Sequence, residues 1–233
     1  MISINTMTSG GFGNRIFYYN NLRQLAEREG KPWSCVRWEG HQHFKGDMLN
    51  GSQIGNHSLN LCLGEKFFEW GSVSTRSIFE LKEKPQVENN STAIHFRGTD
   101  FFQWNPNAVL NEEYYLNAID EVPSETFYLF TDDKNLTSYK SVVQHLEKKS
   151  KKIVVGVNTA NREHYIQDFS TMSECDYIIS SPSTYCICAG FVGKKKKIIH
   201  SKNWVDDRVN NEDKFWIDLY DGGNEDYSIW RLI

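Results

Sequence analysis

"TFYLFTDDKNLTSYKSVVQHLEKKSKKIVVGV", residues 126–157, decides the fold. A short apolar strand, "TFYLFT", runs into the polar loop "TDDKN". An amphipathic helix around "SYKSVVQHLEKK" follows, and a second apolar strand, "KIVVGV", closes the unit. A strand, a helix and a strand in succession can lie in one sheet only if the strands are parallel, because the helix has to carry the chain back to the starting edge.

Working outward from this unit, the same alternation continues. The strand "TAIHF" (92–96) and the helix "NEEYYLNAI" (111–119) precede it. The helix "EHYIQDFSTMSE" (163–174), the strand "DYIIS" (176–180), the helix "STYCICAGFV" (183–192) and the strand "KKIIHS" (196–201) follow it. Alternation over this length predicts an α/β fold with a parallel sheet covered by helices on both faces. Nearer the N-terminus, the strand "ISIN", the turn "TSGGFGN" and a helix from Asn14 to Glu29, closed by Gly30, form a separate unit. Residues 31–87 are polar and irregular and read as loops with short elements, and "EKPQVENNS" (83–91) has the composition of a linker. The boundary therefore falls near residue 85: an N-terminal lobe over 1–85 and a C-terminal lobe over 86–233.

Composition narrows the partners. The chain has 233 residues, 39% of them hydrophobic and 14% aromatic, enough for a substantial core with aromatic surface to spare for packing or for stacking on a ligand. A net charge of −4 supplies no general counter-charge to a polyanion, which argues against nucleic acid and against an anionic membrane as partner. The basic run "KKKK" at 194–197 reads as a solvated loop. Five cysteines without disulfide-framework or zinc spacing suit a reducing compartment, which makes the cytoplasm the expected location. With no apolar stretch of spanning length and no basic-then-apolar leader, neither stable membrane insertion nor a signal peptide is expected.

In an open parallel sheet, ligands bind beyond the carboxyl ends of the strands, so the chemistry is sought in the loops found there. "GGFGNR" places Gly11, Gly13 and Asn14 at a helix start, either as an anion site or as a tight turn alone; it lacks the third glycine of a dinucleotide fingerprint and the Lys-Ser/Thr of a P-loop. "HFRGTD" sets His95, Arg97 and Asp100 at the end of a buried strand. There the arginine requires either an internal carboxylate, with Asp100 the candidate, or an anionic ligand. In "SSPSTY", Ser183 and Thr184 open a helix, where they either cap it or bind phosphate. Asp132, Asp133 and Asp168 repel phosphate but suit donor groups such as guanine N–H or ribose hydroxyls. Cys186 and Cys188 are either nucleophile candidates or buried thiols. His41 and His43 are at most half a metal site, and the sequence has no D-x-D, so no metal site is expected.

Four stretches, "GGFGNRIF", "AIHFRGTD", "FYLFTDD" and "DFSTMSECDYIISSPSTYCICAG", in this order and spacing, resemble the GDP-fucose-dependent fucosyltransferases: the α1,2 group, with related motifs in the α1,6 and protein O-fucosyltransferases. The resemblance covers the start of the chain and most of the second half. It implies a GT-B-like architecture of two Rossmann-like lobes with parallel sheets, the first lobe reduced. It also implies metal-independent, inverting transfer of fucose from a GDP-fucose donor to a glycan acceptor, with no further cofactor. On the same resemblance Arg97 meets the β-phosphate of the departing GDP, Asn14 approaches the diphosphate or sugar, Asp168 lies by the guanine, and Ser183 with Thr184 takes the phosphate from the other side. Gly98 stands where the family's motif has a second arginine, and Asp100 is the nominee for general base. A transferase using another nucleotide-deoxysugar, or a non-catalytic nucleotide-sugar or glycan-binding module, are the alternatives.

Overall fold

The computed structural model describes residues 1–7, 10–46, 77–104, 106–157, 163–193, 195–201 and 230–233. The central sheet contains six parallel strands: β3 (Ser91–Phe96), β4 (Thr126–Thr131), β5 (Lys152–Val155), β6 (Tyr177–Ile179), β7 (Lys197–His200) and β8 (Trp230–Leu232). Their spatial order is β5-β4-β3-β6-β7-β8. The chain starts in the middle at β3, winds outward to β5, then returns to the other side of β3 and winds outward again. This is the doubly wound order of Rossmann-like folds, and its switch point lies between β3 and β6.

Residue alternation explains why helices cover both faces. Ile94, Phe96, Phe127, Leu129, Ile179 and Ile199 pack on one side with α4 (Glu112–Asp120) and α5 (Thr137–Lys148). Ala93, Tyr128, Phe130, Ile178 and Ile198 pack on the other with α6 (Tyr165–Glu174) and α7 (Thr184–Val192). The period of two along each strand sends neighbouring residues to opposite cores. Asn111 caps α4, its side chain accepting the Tyr114 N–H at 3.1 Å.

The N-terminal unit holds β1 (Ile2–Ile4) parallel to β2 (Trp33–Cys35), joined by α1 (Phe12–Glu29), with a short α2 (Gly40–His43) after them. Helix α1 starts at Phe12, two residues before the expected Asn14, because Gly11 takes the extended N-cap position and the Phe12 ring is buried among Trp38, Phe44, Tyr165 and Phe169. At its other end Gly30 adopts φ 60°, the left-handed cap that an L side chain disfavours. Strand β2, three residues of the irregular stretch, was not expected: "WSC" is too short to show alternation. The short helix α3 (Phe101–Trp104), the 3₁₀ turn at Pro106–Ala108 and β8 were also unforeseen. Residues 47–76 of the irregular stretch lie outside the described residues.

One apolar cluster joins the two-stranded sheet and its helix to the six-stranded sheet. It runs from Ile2, Ile16, Phe17, Trp38 and Phe44 through Phe169 and Cys188 to Ile178 of the sheet. The aromatic surplus goes largely into it, as the burial of Phe12, Tyr19 and Trp38 shows. The linker is pinned as well, with the Asn90 N–H on the Asp176 carboxylate at 2.5 Å and the Glu88 N–H on the Tyr128 hydroxyl at 3.2 Å.

The basic runs are not open patches. Lys149 pairs with Asp120, Lys151 with Glu125 and Lys197 with Glu121, each within 2.7 Å, and Lys152 pairs with Glu88. All lie toward the amino ends of the strands, opposite the end where ligands bind. Within "KKKK", Lys196 is exposed as a solvated loop requires, and the expectation is corrected at Lys195. The Lys195 ammonium donates to the carbonyls of Met172 (3.1 Å), Cys175 (2.5 Å) and Ser173, closing the C-terminus of α6, and burial pulls its pKa down to about 8. Lys194 lies outside the described residues. No helix among the described residues is long and apolar enough to cross a membrane.

Candidate functional site at the switch point

The register that sets Phe96 opposite Thr131 carries Arg97 and Asp132 side by side past the strand ends. Asp132 is the organising carboxylate. One oxygen accepts Arg97 Nη1 at 2.7 Å and Thr99 Oγ1 at 2.6 Å, and the other accepts the Gly98 N–H at 2.9 Å. From the other side, Arg97 Nη2 donates to both oxygens of Asp100, at 2.6 and 2.9 Å, and Phe101 lies under the guanidinium, 5.0 Å from its centre. Of the two alternatives for Arg97, an internal carboxylate or a ligand, the structure thus supplies two internal carboxylates. They are not equivalent: the Asp132 side chain is 11% exposed and the Asp100 side chain 54%.

This places the aspartates differently from the sequence expectation. Asp132 is committed to the Arg97 loop and does not face outward as a base or ribose acceptor. Asp133 accepts the Asn135 N–H at 2.8 Å and shapes the turn into α5. Asp168 is buried at 4% exposure; it accepts the Val157 N–H at 2.8 Å and thereby fixes the end of β5, where Gly156 lets the carboxylate approach because a Cβ there would sit 2.7 Å from its oxygen. An Asp168 open to guanine is therefore corrected to a buried structural carboxylate. Asp100, engaged by Arg97 and by Thr99 Oγ1 at 3.2 Å, does not stand as an open base. At Gly98 a Cβ would come within 2.8 Å of a methyl of the buried Leu136, so packing favours glycine where the resembled motif has arginine.

Across the switch point, β6 ends in "SSPST". His95 Nδ1 bonds Ser181 Oγ at 2.6 Å, and His200 Nδ1, from the strand beyond, bonds Ser180 Oγ at 2.5 Å. Burial, with Arg97 adding repulsion for His95, pulls both histidines down to about 3, so both are neutral at physiological pH. Ser183 is the N-cap of α7 but makes no side-chain capping bond, so its hydroxyl is not spent on the helix. Thr184 Oγ1 donates to Asn14 Oδ1 at 2.5 Å. Gly13 packs on the α7 backbone at Thr184 and Tyr185, where a Cβ would be 2.4 Å from the Tyr185 nitrogen, and Cys188 Sγ reaches the Gly13 carbonyl at 3.4 Å. Gly11, Gly13 and Asn14 thus open a helix that meets α7 end to end, which gives the glycine-rich loop a packing role.

The structure brings Asn14 together with Thr184, His95 with Ser181, and Arg97 with Asp100 and Asp132. Asp133 and Asp168 stand apart, on the β4 and β5 sides. Ser181 and Tyr185, whose ring lies 5.7 Å from His95, were missed as site residues, although both fall inside the quoted "SSPSTY". Cys186 and Cys188 are buried thiols, with burial pushing Cys186 up to about 12 and Cys188 in the same direction, which removes them as nucleophiles. His41 is engaged at both ring nitrogens, by the Trp38 carbonyl and by Arg37 Nε. Among the described residues no three His, Cys, Asp or Glu side chains gather as a metal site. Compared with known proteins, the chain matches no family model and no curated protein.

Proposed function

We propose that the chain is a glycosyltransferase with a GT-B-like arrangement, taking fucose from GDP-fucose and passing it to a glycan acceptor with inversion. The observation that carries this reading is the switch point itself. There β3 leads into Arg97, β6 runs into the α7 N-terminus, where Ser183 makes no side-chain capping bond, and the Asn14 amide of the first unit accepts the Thr184 hydroxyl, all at the carboxyl-end crevice of the sheet. Such a crevice offers what a departing diphosphate needs. Breaking the fucosyl–phosphate bond leaves charge on the phosphate oxygens, and preorganised donors there lower the barrier. Arg97 supplies the counter-charge, and the positive end of the α7 dipole adds a partial positive charge. GDP as the nucleotide rests on the resemblance of the four motifs, since Asp132 and Asp168 are committed internally.

The test is GDP release from GDP-fucose with a panel of glycan acceptors in excess chelator. Turnover is expected to persist in EDTA, a prediction motivated by the missing D-x-D and by the arginine-plus-helix arrangement; turnover restored only by manganese or magnesium contradicts it. A second reading, a non-catalytic nucleotide-sugar-binding module, is favoured by one observation: Arg97 is held by two carboxylates and Gly98 replaces a second arginine. Binding of the donor without turnover by any acceptor selects that reading.

A further inference from the structure

The Arg97 guanidinium has two forks, and they are satisfied unequally. Nη1 is held by Asp132, which is itself tied to the Gly98 N–H and to Thr99. The other fork is the Nε–H with Nη2, the edge that meets two oxygens of one planar or tetrahedral anion side by side. Here Asp100 places both of its oxygens on Nη2 alone, at 2.6 and 2.9 Å, and Nε, though buried, has no hydrogen-bond partner. A carboxylate three residues along the same loop does not span this edge. Its presence also coincides with backbone strain: Thr99, β-branched, sits at φ 27°, a conformation that such residues rarely adopt. Asp100 is more than half exposed, whereas Asp132 is nearly buried. One partner is thus fixed and the other displaceable, with a buried donor left unmet beneath it.

We propose that Asp100 is a latch on a bidentate phosphate fork: its carboxylate covers the Nε/Nη2 edge of Arg97 in the empty protein and swings into solvent when a diphosphate takes that edge. This rests on the reading that Arg97 binds the donor's diphosphate, and it adds a mechanism of self-occlusion to that site. Asp132 keeps Nη1, the Gly98 N–H and the Thr99 hydroxyl throughout, so the guanidinium does not move; the Asp100 side chain does. Because the latch must open before phosphate enters, it lowers apparent affinity by the fraction of molecules that are closed.

Calorimetric titration of the full chain with inorganic pyrophosphate and with GDP tests this in the wild type, Asp100→Asn, Asp100→Ala, Arg97→Lys and the Arg97→Lys/Asp100→Ala double variant. An exposed ion pair of this kind is worth up to about a fivefold change in a binding constant, so Asp100→Ala should bind both ligands about fivefold tighter. In the Arg97→Lys background the gain should vanish, since lysine has no fork to uncover. If the wild type binds GDP while both Asp100 variants bind equally or more weakly, the latch is overturned and the donor-site reading stands. If no protein in the set binds pyrophosphate or GDP, both fall together.

Discussion

Arg97→Ala is expected to lower the rate of fucosyl transfer about 100- to 1000-fold, the usual cost of removing one preorganised donor from a developing charge. The protein should nevertheless fold. Asp132 loses its guanidinium but keeps the Gly98 N–H and the Thr99 hydroxyl, and the Asp100 side chain is already more than half exposed, so the thermal midpoint should fall by only a few degrees. Arg97→Lys should recover little of the rate, because an ammonium cannot hold Asp132 on one edge and a phosphate on the other. Steady-state kinetics beside a melting curve separate the two effects: a folded Arg97→Ala protein with undiminished turnover contradicts the assignment.

Acid should destabilise the fold steeply, and the switch point is where the effect originates. His95 and His200 have folded pKa values of about 3 against an unfolded value near 6.5. Between those limits the unfolded chain binds protons that the folded chain refuses, so stability present above about pH 6.5 is lost as the pH falls toward 3. At about pH 5 each histidine accounts for roughly 2 kcal/mol of that loss. Urea titrations at neutral pH and at about pH 5 read it directly, and His200→Gln, which keeps a partner for Ser180, should remove about half of the slope. Stability that is flat from pH 7.5 to 5 contradicts the buried, neutral assignment. The same chemistry bears on the site: a neutral His95 adds a hydrogen bond and no charge beside Arg97, leaving the guanidinium as the principal cation facing a ligand.

The doubly wound half was legible because its signals are long. "TFYLFT" coincides with β4, and the alternation of Ile94 with Ala93 or Ile179 with Ile178 sorts residues to two cores, so the strands and their covering helices can be read without tertiary information. Strand β2 was not legible, since three residues, "WSC", have no period, and its pairing with β1 is a contact with residues some thirty positions away. The positions of the site loops followed from strand ends, and so did Arg97's need for a counter-charge. What each carboxylate does was hidden. Asp132 and Asp133 are adjacent in sequence and alike in type, but strand register puts one against Arg97 and leaves the other to cap a turn. Asp168 was placed by the guanine through the resemblance of its stretch; the close approach permitted by Gly156, which buries it against the β5 loop, depends on the packing of two elements. The bridge from Asn14 to Thr184 joins residues 170 positions apart and is a product of topology.

The central claim is that the carboxyl ends of β3 and β6 form a nucleoside-diphosphate site. Calorimetric titration of the wild-type protein with GDP, UDP, ADP and GDP-fucose tests it most directly. GDP and GDP-fucose are expected to bind with similar affinity, since in the proposed site Arg97 and Ser183 address the diphosphate and not the sugar, and UDP and ADP more weakly, since the motif resemblance implies guanine as the base. Absence of binding by all four would contradict the claim, and equal binding of all four would leave the diphosphate site standing and remove guanine as its base.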